Sequence, residues 1–265
     1  MTPTVDEQIA WCLARSCRPG DVLVVGVATP LAAAAAQLAR ALLVPDLVLL
    51  EGTAVDAPPH DVATPLLRPE AVGEQAVGVL AQHEVLDAIQ RGRATLQLVS
   101  PAQVDGAGNL NTSRVRGPDG SLRRLPGGLA TADVARLVGR LVAYRADHSP
   151  RFLPERVEFV TGAAGRVVRI VTASAVLDWT GERFRLASVH VGAEPAAVVA
   201  GCGFALEAPA RVPTTEPPPA EALRLLREEI DPHGLRRLEL RERRAEALET
   251  LSRLAGRGEC GKMRP

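Results

Sequence analysis

Val44-Pro45-Asp46-Leu47-Val48-Leu49-Leu50-Glu51-Gly52-Thr53 is the stretch whose reading sets the fold. Four consecutive apolar residues, Leu47 to Leu50, stand between Pro45-Asp46 and Glu51-Gly52-Thr53, and so short an apolar run bounded by turn formers reads as a buried strand. The strand ends on a carboxylate, Glu51. Open α/β sheets bind ligands beyond the carboxyl ends of their strands, and a side chain placed there is held by a rigid element. That makes Glu51 the candidate catalytic residue. Its position alone is equally compatible with a solvated glutamate opening a surface loop.

Upstream, Thr4 can cap a helix in which Glu7 supplies the capping-box partner, with Val5, Ile9, Cys12 and Leu13 on one face and an end near Pro19-Gly20. Asp21 to Gly26 is a short apolar strand, and an Ala-rich helix starts at Pro30 and runs to about Leu43. With the strand ending at Glu51 this makes a βαβ unit, which implies parallel pairing through a right-handed crossover. The turn Gly26-Val27-Ala28-Thr29 offers backbone N–H groups at a helix N-terminus, which suits an anion. A single glycine without a full G-x-G-x-x-G pattern is a weak signal by itself.

Downstream, residues 57–70 carry several prolines and His60 and read as an irregular loop in which the histidine is incidental. Helical patterning follows over Ala71 to Gln90, then a strand over Ala94 to Val99. The loop Ser100 to Thr112, with Gln103, Asp105, Gly106, Gly108, Asn109 and Asn111, is dense in residues whose side chains bond their own backbone. Gly127-Gly128 forms a second glycine loop that allows close approach of backbone to a ligand. Several β-rich runs are expected between Leu137 and Val176, including Val157 to Val160 and Val167 to Val171, and His190 is expected to be structural. Trp179 to Phe184 reads as a hairpin connection and Glu194 to Ala200 as a short helix. Past the Pro217-Pro218-Pro219 run, helices are expected over Glu221 to Ile230 and Leu235 to Leu254, then a disordered tail from Gly256.

The chain has 265 residues, 46% of them hydrophobic, and reads best as one large α/β domain over residues 1–240 with a charged helix and tail over 241–265. A formal net charge of zero argues against nucleic acid or an anionic membrane as the main partner. Lys262 is the only lysine, so lysine chemistry is confined to the tail. Cys12, Cys17, Cys202 and Cys260 form no C-x-x-C pair and match no histidine spacing, so neither a metal site nor a disulfide framework is expected. No targeting segment or membrane span is evident, and a cytoplasmic location is expected.

Taken in order, these features resemble the β subunit of class I coenzyme A transferases, most closely the glutaconate type, over about Val5 to Leu240. The resemblance is carried by Val25-Gly26 and Pro30, Pro45-Asp46 before the strand ending at Glu51, and Ala102-Gln103-Val104-Asp105 followed by Gly108-Asn109 and Asn111. Gly127-Gly128, Arg151-Phe152, Phe159-Val160-Thr161 and Leu226-Arg227-Glu228-Glu229-Ile230-Asp231-Pro232 complete it. The family usually reads Glu-Ser-Gly where this chain has Glu51-Gly52-Thr53, and Gly-x-Gly-Gly-Ala where it has Leu125-Pro126-Gly127-Gly128-Leu129.

The resemblance implies an open, mostly parallel sheet with flanking helices in the coenzyme A transferase fold, and Glu51 as the catalytic glutamate. It implies a reaction in which Glu51 attacks an acyl-CoA thioester, gives a mixed anhydride, is recaptured as a glutamyl-CoA thioester, and passes CoA to a carboxylic acid. Gly127, Gly128 and the loop of Gly26, Ala28 and Thr29 are the implied oxyanion donors, with Gln103 and Asn109 near CoA. Coenzyme A is implied as substrate, with no permanently bound cofactor. A homologous α subunit is the implied partner, in an α2β2 assembly. Two other outcomes fit the same resemblance: a ring-opening hydrolase subunit acting on cyclic CoA esters, and a non-catalytic scaffold completing a partner's site.

Overall fold

The computed structural model describes residues 2–26, 28–128 and 130–257. Where the sequence reading has one domain over residues 1–240, the fold comprises two compact units. One is built from the chain up to Ala88, Arg93–Leu98 and the chain from Pro217 onward; the other from Ile89–Gly92 and Val99–Glu216.

The first unit begins with α1, Val5–Ala14, closed at its start by the Thr4–Glu7 capping box. The Thr4 N–H donates to Glu7 Oε2 at 2.9 Å, which satisfies one of the orphan donors of the first turn. The helix stops a turn short of Pro19-Gly20, where the Ser16 hydroxyl bonds back to the Cys12 carbonyl. β1, Val22–Val25, leads into α2, Pro30–Leu42, with proline at its first position. Alanines at 32 to 36 keep α2 slim enough to be buried on nearly every side, against α1 among others. β2, Val48–Glu51, then pairs in parallel with β1, with Val25 opposite Glu51. β3, Ala54–Val55, turns back antiparallel to β2 across Gly52-Thr53. Gly52 has φ 62°, and a positive φ in the first central position of a two-residue hairpin loop is what glycine supplies most cheaply.

Two short helices follow, α3 at Ala63–Leu67 and α4 at Pro69–Gln75, so the segment 57–70 is less irregular than its prolines suggest. The expected helix over Ala71 to Gln90 is interrupted. Gly78–Val79 forms β4, antiparallel to β3, before α5 resumes at Gln82–Gln90. Gly73, Val77, Gly78 and Val79 are weak helix formers, and the edge of β3 offers this segment a backbone ladder instead. β5, Leu96–Val99, lies on the other side of β1, so the strand order in this unit is β5-β1-β2-β3-β4.

In the second unit, β6 (Gln103–Val104) and β7 (Leu110–Asn111) form one hairpin, and β8 (Arg114–Arg116) and β9 (Leu122–Arg124) another. α6, Thr131–Leu137, precedes a sheet of β10 (Arg140–Tyr144), β11 (Val167–Val171), β12 (Ala175–Trp179) and β13 (Phe184–Val189) in the order β13-β12-β11-β10. Trp179 faces Phe184 across the β12–β13 hairpin in an edge-on contact with centroids 5.0 Å apart. Val157 to Val160 forms no strand, contrary to its β-rich composition. Its backbone donors are taken by side chains: the Val157 N–H goes to Asp105 Oδ2 and the Glu158 N–H to Gln103 Oε1. α7, Pro195–Ala200, closes this unit's helices. His190 is buried between the Thr215 hydroxyl and the Thr172 carbonyl, a structural placement inside the unit.

The C-terminal segment returns to the first unit. α8, Ala220–Leu225, continues into a π turn at Leu226–Ile230, and a 3₁₀ turn covers Leu235–Glu239 before α9, Arg244–Arg257. The helix expected over Leu235 to Leu254 is therefore broken. Asp231 accepts the Leu235 and Arg236 N–H groups, and the Arg236 guanidinium is drawn inward to Asp6, Glu7 and Asp231, which a continuous solvated helix could not provide. Most of the tail expected to be disordered lies outside the described residues. No described helix is long and apolar enough to cross a membrane.

Candidate active site

Glu51 is the last residue of β2, and its register partner Val25 is the last of β1. The parallel pairing brings the β1–α2 loop beside the carboxylate. A cavity of about 180 Å³ opens there, lined by Val25, Gly26, Ala28, Thr29, Pro30 and Ala33 on one side and by Glu51, Gly52, Val62, Pro65 and Leu66 on the other. Of the residues singled out in the sequence, Glu51, Gly26, Ala28 and Thr29 meet at this one place. The loop is tied to itself, since the Thr29 hydroxyl donates to the Gly26 carbonyl at 2.7 Å. Ala28 has φ 54°, an uncommon conformation for a residue with a Cβ, and such strain persists only where the surroundings enforce it. The first turn of α2 is not left to solvent either: the Leu31 N–H donates to Glu239 Oε1 at 2.8 Å.

The Glu51 carboxylate is buried and has a partner that the sequence reading dismissed. His60 Nε2 lies 2.7 Å from Glu51 Oε2, with the two side chains 8% and 6% exposed. His60 Nδ1 lies 3.0 Å from the Asp61 carbonyl. Both neighbours are acceptors, so both ring nitrogens are called on to donate. The Gln37 amide nitrogen, 3.4 Å from Nε2, is too distant to compete with the carboxylate. Burial alone would lower the His60 pKa, and the nearby Arg40 cation also works against protonation. The hydrogen bond and charge of Glu51, with the Asp61 carbonyl, override both and place it above the usual histidine value. Among the described residues no hydrogen bond is directed at Glu51 Oε1.

His60 also lines a second, larger cavity of about 690 Å³, whose walls include Gln37, Arg40, Asp56, Ala71 and Ile230. Arg40 braces this wall through the Ala57 carbonyl at 2.8 Å and Gln37 Oε1 at 2.9 Å. Asp61 holds the start of α3 by accepting the Thr64 N–H and hydroxyl, each at 2.8 Å. His60 is thus fixed from both sides. Nothing local marks it in the sequence, because its contact with Glu51 depends on the chain folding back through the β3 hairpin and the Pro58-Pro59 segment.

The remaining candidates belong to the second unit. Gln103 donates to Glu158 Oε1 at 2.9 Å and accepts from Asn111 at 2.7 Å; Asn109 donates to Asp105 and accepts the Ala164 N–H. Asp105 Oδ1 also accepts the Ala107 and Asn109 N–H groups, so the loop caps itself as its composition suggests. The Gly127 N–H donates to the Thr112 carbonyl at 3.1 Å. A methyl group at Gly128 would stand 3.0 Å from the Thr161 methyl, which accounts for a glycine there by packing.

No family model matches the sequence. Among curated proteins the chain is 27% identical over 243 residues to a cholesterol ring-cleaving hydrolase IpdB subunit of Rhodococcus jostii, covering 82% of this chain and 88% of that one. It is 26% identical over 248 residues to a 3-oxoadipate CoA-transferase subunit of Pseudomonas knackmussii, covering 84% and 92%. Among solved structures, the decarboxylase AibA/AibB matches with a TM-score of 0.77 at 26% identity, over 89% of this chain and 98% of that one. Glutaconate coenzyme A-transferase of Acidaminococcus fermentans matches with a TM-score of 0.74 at 20% identity, over 87% and 95%, a likeness of fold. With mostly parallel strands and flanking helices, the chain is similar to β subunits of class I coenzyme A transferases, in sequence to the 3-oxoadipate enzyme and in fold to the glutaconate enzyme.

Proposed function

We propose that the chain is the β subunit of a transferase that moves CoA between an acyl-CoA thioester and a free carboxylic acid, with Glu51 as nucleophile and a homologous α subunit completing the active enzyme. The observation that carries this reading is the buried Glu51 carboxylate, fixed on a strand end at the mouth of the β1–α2 loop, with Oε1 unengaged among the described residues. A carboxylate in water is a weak nucleophile; one that is positioned and partly desolvated is a better one, and the remote binding energy of the CoA chain can meet the cost. The β1–α2 loop, which lines the same cavity as Glu51, is the proposed source of oxyanion donors.

The test is co-expression with the chain encoded beside it, incubation with acetyl-, succinyl- and glutaryl-CoA, and mass spectrometry of the peptide carrying Glu51. A CoA adduct on that peptide, absent in Glu51→Gln together with CoA exchange, is the expected result. An adduct elsewhere, or full exchange in the variant, overturns the assignment.

The similarity to the ring-cleaving hydrolase subunit supports a second reading, in which a partner's residue opens a cyclic CoA ester. It predicts net consumption of such an ester with no exchange between acyl-CoA and free acids. The buried carboxylate at the end of β2, a nucleophile within this chain itself, favours the transferase.

A further inference from the structure

We propose that His60 assigns the two oxygens of Glu51 different roles: the oxygen seated on Nε2 stays with the glutamyl carbon and takes up the negative charge of its tetrahedral adduct, while the other attacks. The inference rests on Glu51 being the nucleophile. Its own basis is geometric. Nε2 meets Oε2 at 2.7 Å, Nδ1 is fixed by the Asp61 carbonyl at 3.0 Å, and the pair is buried, so among the described residues one carboxylate oxygen is engaged by a donor and the other is not.

The bonds follow from this. A lone pair of Oε1 attacks the thioester carbon, and the tetrahedral adduct expels CoA thiolate to leave a mixed anhydride in which Oε1 is the bridge and Oε2 the glutamyl carbonyl oxygen. Thiolate then attacks the glutamyl carbon, and the π electron pair moves onto Oε2, which is the atom the His60 N–H already faces. Collapse breaks the bond from the glutamyl carbon to Oε1 and releases the acyl group as a carboxylate, leaving a glutamyl-CoA thioester whose carbonyl oxygen is Oε2. The proton stays on His60 throughout. A donor already in place at the oxygen where charge develops needs no reorganisation during the step. Free rotation of the carboxylate between turnovers does not alter this, because the two oxygens are chemically equivalent until one is seated.

The test compares the co-expressed complex carrying wild-type chain, His60→Gln and His60→Phe, reading the rate of CoA adduct formation on the Glu51 peptide. A second reading, the infrared stretch of the glutamyl thioester carbonyl, uses carbon-13-labelled glutamate. Loss of one oxyanion donor costs on the order of a hundredfold in rate, so His60→Phe should form adduct about that much more slowly, while His60→Gln, which keeps an N–H donor, recovers about tenfold or more. The wild-type carbonyl stretch should lie below that of a simple thioester in apolar solvent and rise in His60→Phe. An unshifted stretch in the wild-type adduct overturns the proposal even if no variant folds, as does an unchanged rate in His60→Phe, and in either case the adduct on Glu51 still stands. Absence of any adduct on Glu51 in the wild type instead removes the nucleophile, and this inference with it.

Discussion

Arg236→Met tests how the C-terminal segment is held and, through it, the site. The Arg236 guanidinium is 2% exposed and meets Asp6 Oδ2 at 2.6 Å, Asp231 Oδ2 at 2.9 Å and Glu7 Oε1 at 3.2 Å. Methionine keeps much of the side-chain volume and removes the charge. The three carboxylates are not all abandoned: Glu7 keeps Arg227 at 2.7 Å, Asp6 keeps Arg237 at 3.5 Å, and Asp231 keeps the Leu235 and Arg236 N–H groups. The expected cost is therefore that of one broken buried pair, about 3–5 kcal/mol, rather than three times that. Against a total stability of about 5–15 kcal/mol this is a large fraction, equivalent to a fall in Tm on the order of 10 °C.

Urea unfolding followed by circular dichroism measures this loss, and its pH dependence checks the cause. Burial by itself would raise the Glu7 pKa, but the Arg227 hydrogen bond, the Thr4 N–H and the Arg236 charge together bring it down from 4.5 to about 2. A depressed carboxylate pKa gives stability that is present above 4.5 and lost as pH falls toward about 2. The gap between wild type and variant should narrow over that interval. Because Glu239, three residues on, caps the first turn of α2 at the smaller cavity, CoA exchange should fall as well. A destabilisation below about 1 kcal/mol, the worth of an exposed pair, would refute the reasoning.

Other expectations follow from single contacts. The stability that the Glu51–His60 pair contributes has the opposite sign with pH: it is full below the ordinary histidine pKa and is lost as pH rises through the raised value. The difference in unfolding free energy between wild type and His60→Gln should shrink on the alkaline side, with Glu51, Arg40 and the Asp61 carbonyl as the groups acting on the ring. A difference that grows with pH would contradict the assigned charge state. Gly203→Ala would place a methyl 2.7 Å from the Leu153 carbonyl oxygen and 2.8 Å from the Glu155 nitrogen, both backbone, and should cost about 1–3 kcal/mol in thermal or urea unfolding. Burial raises the Cys202 thiol to about 11, so peptide mapping after iodoacetamide at mildly alkaline pH should find it largely unmodified; rapid alkylation would disprove the burial.

The parallel pair at the heart of the first unit was legible because each piece carries a local signature. Asp21 to Gly26 and Leu47 to Leu50 are short apolar runs flanked by turn formers, and Pro30 opens an Ala-rich helix between them. The structure shifts their bounds by a residue or so. Val157 to Val160 and Leu235 to Leu254 depart from their local patterns for a shared reason. Their backbone or side-chain groups are claimed by partners distant in sequence: Gln103 and Asp105 for the first, Asp6 and Glu7 for the second. Propensity does not register such partners.

The α/β class, the strand that ends at Glu51 and the loop at Gly26 to Thr29 are written locally in the chain, because apolar runs, prolines and glycines act within a few residues of where they stand. What surrounds that carboxylate comes from contacts between distant parts of the chain. His60 comes from a proline-rich segment that looks incidental, and Glu239 reaches the start of α2 from the far end of the chain. A hydrogen bond at 2.7 Å depends on the return path of the chain, and composition carries no record of that path.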